Sequence, residues 1–134
     1  MPFYSARLLY YILVDSGVPR RRQHCDETVV VFRAENFDRA FERALALGYA
    51  AESEYRNAYG QRVRWAFVEV ETLDEVGPAV DGAEVASRQH VRVTPRPVPA
   101  NRVFHPKRSK PEQSAPAGRL STGPKRDRGR RGAA

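Results

Sequence analysis

Asn36-Phe37-Asp38-Arg39-Ala40-Phe41-Glu42-Arg43-Ala44-Leu45-Ala46-Leu47-Gly48 is the stretch that decides the fold. Phe37, Ala40, Phe41, Ala44 and Leu45 recur at i, i+3, i+4, i+7 and i+8, so they form one apolar stripe about three turns long. Asn36 is placed to cap the first turn, and Asp38 suits its positive end. Gly48 is expected to close the helix as a left-handed residue. A helix with a single apolar stripe needs a sheet to cover, and the flanking sequence supplies one.

Upstream, Tyr4, Ala6, Leu8, Tyr10, Ile12 and Val14 alternate along 4–14 as one apolar face of a strand, opposite a mixed face. Asp15 to Asp26, with Gly17, Pro19 and three arginines, reads as a loop. Residues 27–34 are β-branched and aromatic and form a second strand. Downstream, Tyr49 to Asn57 alternates as a strand. Asn57-Ala58-Tyr59-Gly60 is a hairpin turn with Gly60 in the left-handed position. Residues 61–72 return as a strand that is apolar on both faces, with Val63, Trp65 and Phe67 on one side and Ala66, Val68 and Val70 on the other. Such a strand is central, or a bulge shifts its register. Leu73 to Val80 reads as a connection, Asp81-Gly82 as a turn, and 84–94 as a last alternating strand. The expectation is an α+β fold in the order β-β-α-β-β-β. It has an antiparallel sheet of four to five strands and one helix packed on one face.

The pattern stops at Pro95. Residues 1–95 hold twelve of the thirteen aromatics, twelve arginines, no lysine and fourteen acidic residues, a net charge of −2. Residues 96–134 hold eleven basic residues against Glu112 and Asp127, a net +9, and six of the ten prolines. We therefore expect one α+β domain over 1–95 and a disordered, basic Pro/Arg-rich tail over 96–134. The pI near 10 belongs to that tail. Arginine without lysine in the domain points to a GC-rich bacterial genome. A single cysteine, Cys25, forbids an intramolecular disulfide and suits a cytoplasmic setting. The apolar run from Leu8 to Val14 is far shorter than a membrane span, so no membrane association is expected.

No sequence element assembles a catalytic constellation. There is no glycine-rich phosphate loop and no nucleophile elbow. His24 and Cys25 adjoin Arg20, Arg21 and Arg22, a setting that favours a thiolate, but no base and orienter accompany them. His24, Cys25, His90 and His105 lack metal-ligand spacing, so neither a metal nor another cofactor is expected. A single helix cannot cover a five-stranded sheet. Its other face must be polar, covered by the tail, or covered by a protein partner or a second copy. Aromatics for that face would come from Tyr11, Tyr55, Tyr59 and Trp65. In the tail, Lys125, Arg126, Arg128, Arg130 and Arg131 could neutralise phosphates and give weak, non-specific nucleic-acid binding. No aromatic residues interleave them for base stacking.

Several short motifs occur in order. They are Tyr4-Ser5-Ala6, the acidic Glu27 before the second strand, Tyr55-x-Asn57-x-x-Gly60-x-x-Val63-x-Trp65, and Asp81-Gly82-x-Glu84-Val85-x-Ser87-Arg88. Over residues 3–90 the chain resembles an uncharacterised bacterial family, domain of unknown function 4288. That resemblance implies a domain boundary but no activity. Tyr55, Asn57, Trp65 and Arg88 are the candidate binding-surface residues it highlights. Packing and turn formation offer a competing account of the first three. The function expected first is a non-enzymatic binding or accessory module, such as a neutralising factor, that engages a protein through the helix-free face. The alternatives are a nucleic-acid-associated protein with a basic arm and a small enzyme using Cys25 and His24.

Overall fold

The computed structural model describes residues 1–15, 23–87 and 97–112. Four strands and one α-helix follow in the order β1 (Phe3–Val14), β2 (Cys25–Arg33), α1 (Phe37–Ala50), β3 (Ser53–Arg56) and β4 (Arg62–Gly77). A short 3-10 turn spans Pro106–Arg108. The sheet is antiparallel throughout, with spatial order β2-β1-β4-β3. Thus the architecture is α+β, β-β-α-β-β, with one helix on one face. The expected strand over 84–94 does not appear in its described part, 84–87; residues 88–94 lie outside the described residues.

The helix forms where its stripe predicts. Asn36 is the N-cap, and its side chain accepts a hydrogen bond from Arg39 N–H at 2.9 Å. Ala40 and Ala44 are fully buried, with Phe41, Leu45 and Leu47 packed beside them. The end of α1 differs from expectation. Gly48 lies inside the helix, which runs to Ala50, and the C-cap Ala51 has right-handed backbone angles. A Cβ built on Gly48 would sit 2.3 Å from the Phe67 ring. This position therefore needs glycine for the closeness of helix and sheet, not for a left-handed turn. Because the helix extends to Ala50, the following strand is also shorter than the alternation of 49–57 suggests.

β1 and β2 pair in a regular register from Phe3↔Arg33 to Tyr11↔Cys25. The β1–β4 pairing is irregular. The β4 partner jumps from Thr72 to Val70 between Arg7 and Leu8, and from Glu69 to Phe67 between Leu9 and Tyr10. Each jump inserts an extra residue, and each extra residue swaps the faces beyond it. Phe67, Val70 and Leu73 consequently all join the helix-side core with Tyr4, Ala6, Leu8, Tyr10, Phe32 and Ala34. Ala66 and Val68 face the other way. Val70, expected opposite Phe67 on period-two grounds, lies on the same side as Phe67 because of the Val68 bulge. The strand also runs on through Leu73–Gly77, read from sequence as a connection.

The helix-free face has a second core. Leu9, Tyr11, Leu13, Ala66 and Val68 are buried there, and Val98 and Phe104 pack against them. Phe104 meets Tyr11 edge-on at 5.4 Å between ring centroids. The described part of the segment beyond Pro95 thus lies on the sheet. Of the aromatics expected on this face, only Tyr11 is found there, and it is 1% exposed. Trp65 packs with the helix-side core instead.

Candidate binding surface

Three regions bear on function: the β3–β4 hairpin, the covered part of the helix-free face, and the outer strand β2.

The hairpin is built around Asn57. Its backbone N–H donates to Gln61 O, and its carbonyl accepts from Gly60 N–H, both at 3.0 Å. Its side-chain Oδ1 accepts from Tyr59 N–H at 2.9 Å and Gln61 N–H at 3.0 Å, while Nδ2 donates to Gln61 Oε1 at 3.0 Å. Gly60 holds φ +77°, the left-handed value that any β-carbon would penalise. Arg56 donates to Gly60 O at 2.7 Å. Asn57 therefore uses its hydrogen-bonding capacity within the turn. Tyr55 pairs with Val63, two residues from the Ser53↔Trp65 pair, so Tyr55 and Trp65 share the helix-side face. Tyr55 is 49% exposed and Tyr59, at the tip, 87%. Trp65 is half-buried beside Tyr10, and its Nε1–H has no hydrogen-bond partner among the described residues. Arg88 lies outside the described residues.

β4 is paired with β3 only as far as Trp65, so its outer edge beyond that point needs other acceptors and donors. Phe67 N–H donates to the Glu52 carboxylate at 2.8 Å. Val70 N–H donates to Ser109 Oγ at 2.9 Å. Glu112 N–H donates to Glu71 O at 3.1 Å, and Leu73 N–H donates to Glu112 O at 3.0 Å, forming one parallel bridge. Arg64 reaches Arg102 O at 2.6 Å. On the same face of the sheet, at the other end of β1, the buried Ser5 hydroxyl donates to Val85 O. Residues beyond β4 therefore blunt an open strand edge and cover the centre of the helix-free face.

β2 is different. It is an outer strand, and all its odd-numbered residues are exposed: Cys25, Glu27, Val29, Val31 and Arg33. Val29 and Val31 are 40% and 42% exposed. Their β1 partners, Arg7 and Ser5, lie on the helix-free face, so the two valines extend that face outward beyond its covered centre. Sequence reading took residues 27–34 as a second strand without assigning its place in the sheet. Its alternation marks a face, but no local signal says that a strand is outermost. Phe104, the lone aromatic of the tail, was the one available sign that the segment after Pro95 packs.

His24 and Cys25 sit at the start of β2, both exposed. Arg20, Arg21 and Arg22 lie outside the described residues, as do Lys125, Arg126, Arg128, Arg130 and Arg131. Among the described residues no three His, Cys, Asp or Glu side chains gather as metal ligands. No helix among them is long and apolar enough to cross a membrane. Burial, reinforced by Glu52 and Asp26, pushes the Tyr10 phenol up to about 12. Its hydroxyl donates to Gly48 O at 2.9 Å, so it locks the helix to the sheet.

No curated protein and no solved structure matches the chain. A family model matches residues 3–87, which takes in all four strands, the helix and the Asn57 turn. The chain belongs to the family described as Domain of unknown function (DUF4288).

Proposed function

We propose that this domain is a non-enzymatic binding module that engages a protein partner through the β2 side of its helix-free face, as an accessory or neutralising factor. The observation that carries the reading is the exposed Val29–Val31 strip on an outer strand. The centre of the same face is covered by Val98 and Phe104. Apolar side chains in a row on an outer strand are the features that strand-adding partners use. The setting is the cytosol, supported by the chain's having one cysteine and so no intramolecular disulfide. A photo-crosslinking residue placed at position 31 of the full chain in its native cells should trap a protein, while the same residue at exposed Asp81 should not. Equal trapping at both positions, or none at either, would overturn the reading.

A further inference from the structure

We propose that residues 97–112 form a second interaction surface: a basic ridge that takes the phosphate backbone of a nucleic-acid duplex without reading its sequence. The ridge reaches the edge of β4, on the far side of β1 from β2. It is therefore independent of the protein-binding strip on β2.

Apolar residues and backbone bonds fix the segment on the sheet. Val98 and Phe104 pack on the second core, and Pro106 is fully buried. Arg64 donates to Arg102 O, Val70 N–H donates to Ser109 Oγ, and Glu112 bridges Thr72 in parallel. From Arg64 to Thr72 the segment thus follows the direction of β4 for about 20–25 Å, at roughly 3.3 Å per strand residue. With its apolar side turned inward, Lys107, Arg108 and Lys110 are left exposed. At the other end, Arg102 closes a turn whose N–H donates to Pro99 O at 2.8 Å. Its φ of +57° is a left-handed value that glycine or asparagine would adopt at less cost than arginine.

Charge and shape select the partner. Arg102, Lys107, Arg108 and Lys110 stand against Glu112 in this segment. None of the four, nor Arg64, forms an ion pair among the described residues. Glu69 and Glu71, on the adjoining stretch of β4, are half-buried and engage other groups. Arg64 and Arg102 each direct a donor to a backbone carbonyl, at 2.6 Å to Arg102 O and 3.3 Å to Val14 O. A guanidinium has five N–H donors, so each keeps others for a phosphate. A row of cations suits a duplex, which carries one negative charge per about 1.7 Å of its axis. Single-strand binders add aromatic rings on which bases stack. The one aromatic of this segment, Phe104, is instead packed on the second core against Tyr11. A membrane surface would need an apolar flank to insert, and of the large hydrophobics in the segment only Val103 is exposed.

Fluorescence anisotropy of a labelled DNA duplex of arbitrary sequence, titrated with the full chain, tests the ridge. Binding should fall steeply between about 50 and 200 mM salt. Lys107→Gln with Arg108→Gln and Lys110→Gln should weaken it about tenfold and reduce the log–log salt slope by about two to three. Adding Arg102→Asn, a residue that tolerates left-handed backbone, should lower the slope by about one more. The three exposed changes should leave the urea midpoint at the wild-type value. The same three changes should lower the slope equally in a chain whose Lys125, Arg126, Arg128, Arg130 and Arg131 are all replaced by Gln. A wild-type chain that binds no duplex at about 50 mM salt overturns the proposal. So does a three-site variant with wild-type affinity and slope, which would assign the binding to the tail. Tighter binding of a single strand, or of polyglutamate, than of the duplex also overturns it, the latter in favour of an acidic protein.

Discussion

The Val70 N–H donates to Ser109 Oγ at 2.9 Å, across 39 residues of sequence. Ser109 in turn donates to Pro106 O, closing the short turn that carries it. This bond satisfies a donor that the bulges of β4 leave facing away from β1. It ties the segment after Pro95 to the family domain.

Ser109→Ala should therefore leave a part-buried N–H without its acceptor. We expect a loss of about 1–3 kcal/mol, read as a lower midpoint in urea unfolding. Accelerated hydrogen exchange at Val70 should accompany it. An unchanged midpoint and unchanged exchange at Val70 would show that water replaces the hydroxyl at no cost.

Phe104→Ala tests the same segment through packing. It removes the ring that meets Tyr11 and uncovers the core of Leu9, Leu13, Ala66 and Val68. Destabilisation on the order of 2 kcal/mol is expected, with increased binding of an apolar dye. A neutral result would mean that the second core is closed without this ring.

Gly48→Ala brings a β-carbon against Phe67, a 1%-exposed ring also in contact with Tyr10 and Tyr49. The ring has nowhere open to move, so overpacking should cost about 1–3 kcal/mol despite the better helix propensity of alanine. Gly48→Ala combined with Phe67→Leu should cost less than the two single changes added together. Strict additivity in thermal unfolding would deny the contact.

Tyr10 sets an alkaline limit. Its phenol titrates near 12 in the folded chain, above the ordinary value of 10, because burial disfavours the phenolate and Glu52 and Asp26 add to the effect. The unfolded state therefore loses this proton first. The stabilisation is fully present below pH 10 and is lost as pH rises from 10 through 12. Tyr10→Phe should flatten that part of the stability–pH curve. It should also lower stability at neutral pH by about 1 kcal/mol through loss of the bond to Gly48 O. A variant with the same alkaline slope as the wild type would assign the slope to other groups.

The hairpin offers a test of whether the family motif is structural. Asn57→Ala deletes two acceptor contacts and one donor contact of the turn. A cost of roughly 1–2 kcal/mol is expected, with chemical-shift changes centred on 57–61. Tyr55→Ala, at a half-exposed side chain, should change stability by less than about 1 kcal/mol.

Elements whose evidence is local were legible in the amino-acid order. The stripe from Phe37 to Leu45 determined the helix, Asn36 its start, and Asn57 with Gly60 the hairpin turn, because periodicity, capping and left-handed backbone act within a few residues. The double apolar character of 61–72 even marked β4 as central or bulged, and it is both. Tertiary structure alone decided the rest. Gly48 reads as a helix terminator until Phe67 is brought against it. Val70 changes face only because bulges inserted against β1 shift the alternation. Phe104 and Ser109 serve the fold through partners 93 and 39 positions away. Val29 and Val31 read in sequence only as strand residues, and only the strand order, a long-range property of the whole sheet, places them on its outside edge. Local sequence specifies which backbone shape each segment adopts; which side of that shape is left to solvent depends on contacts between segments far apart in the chain.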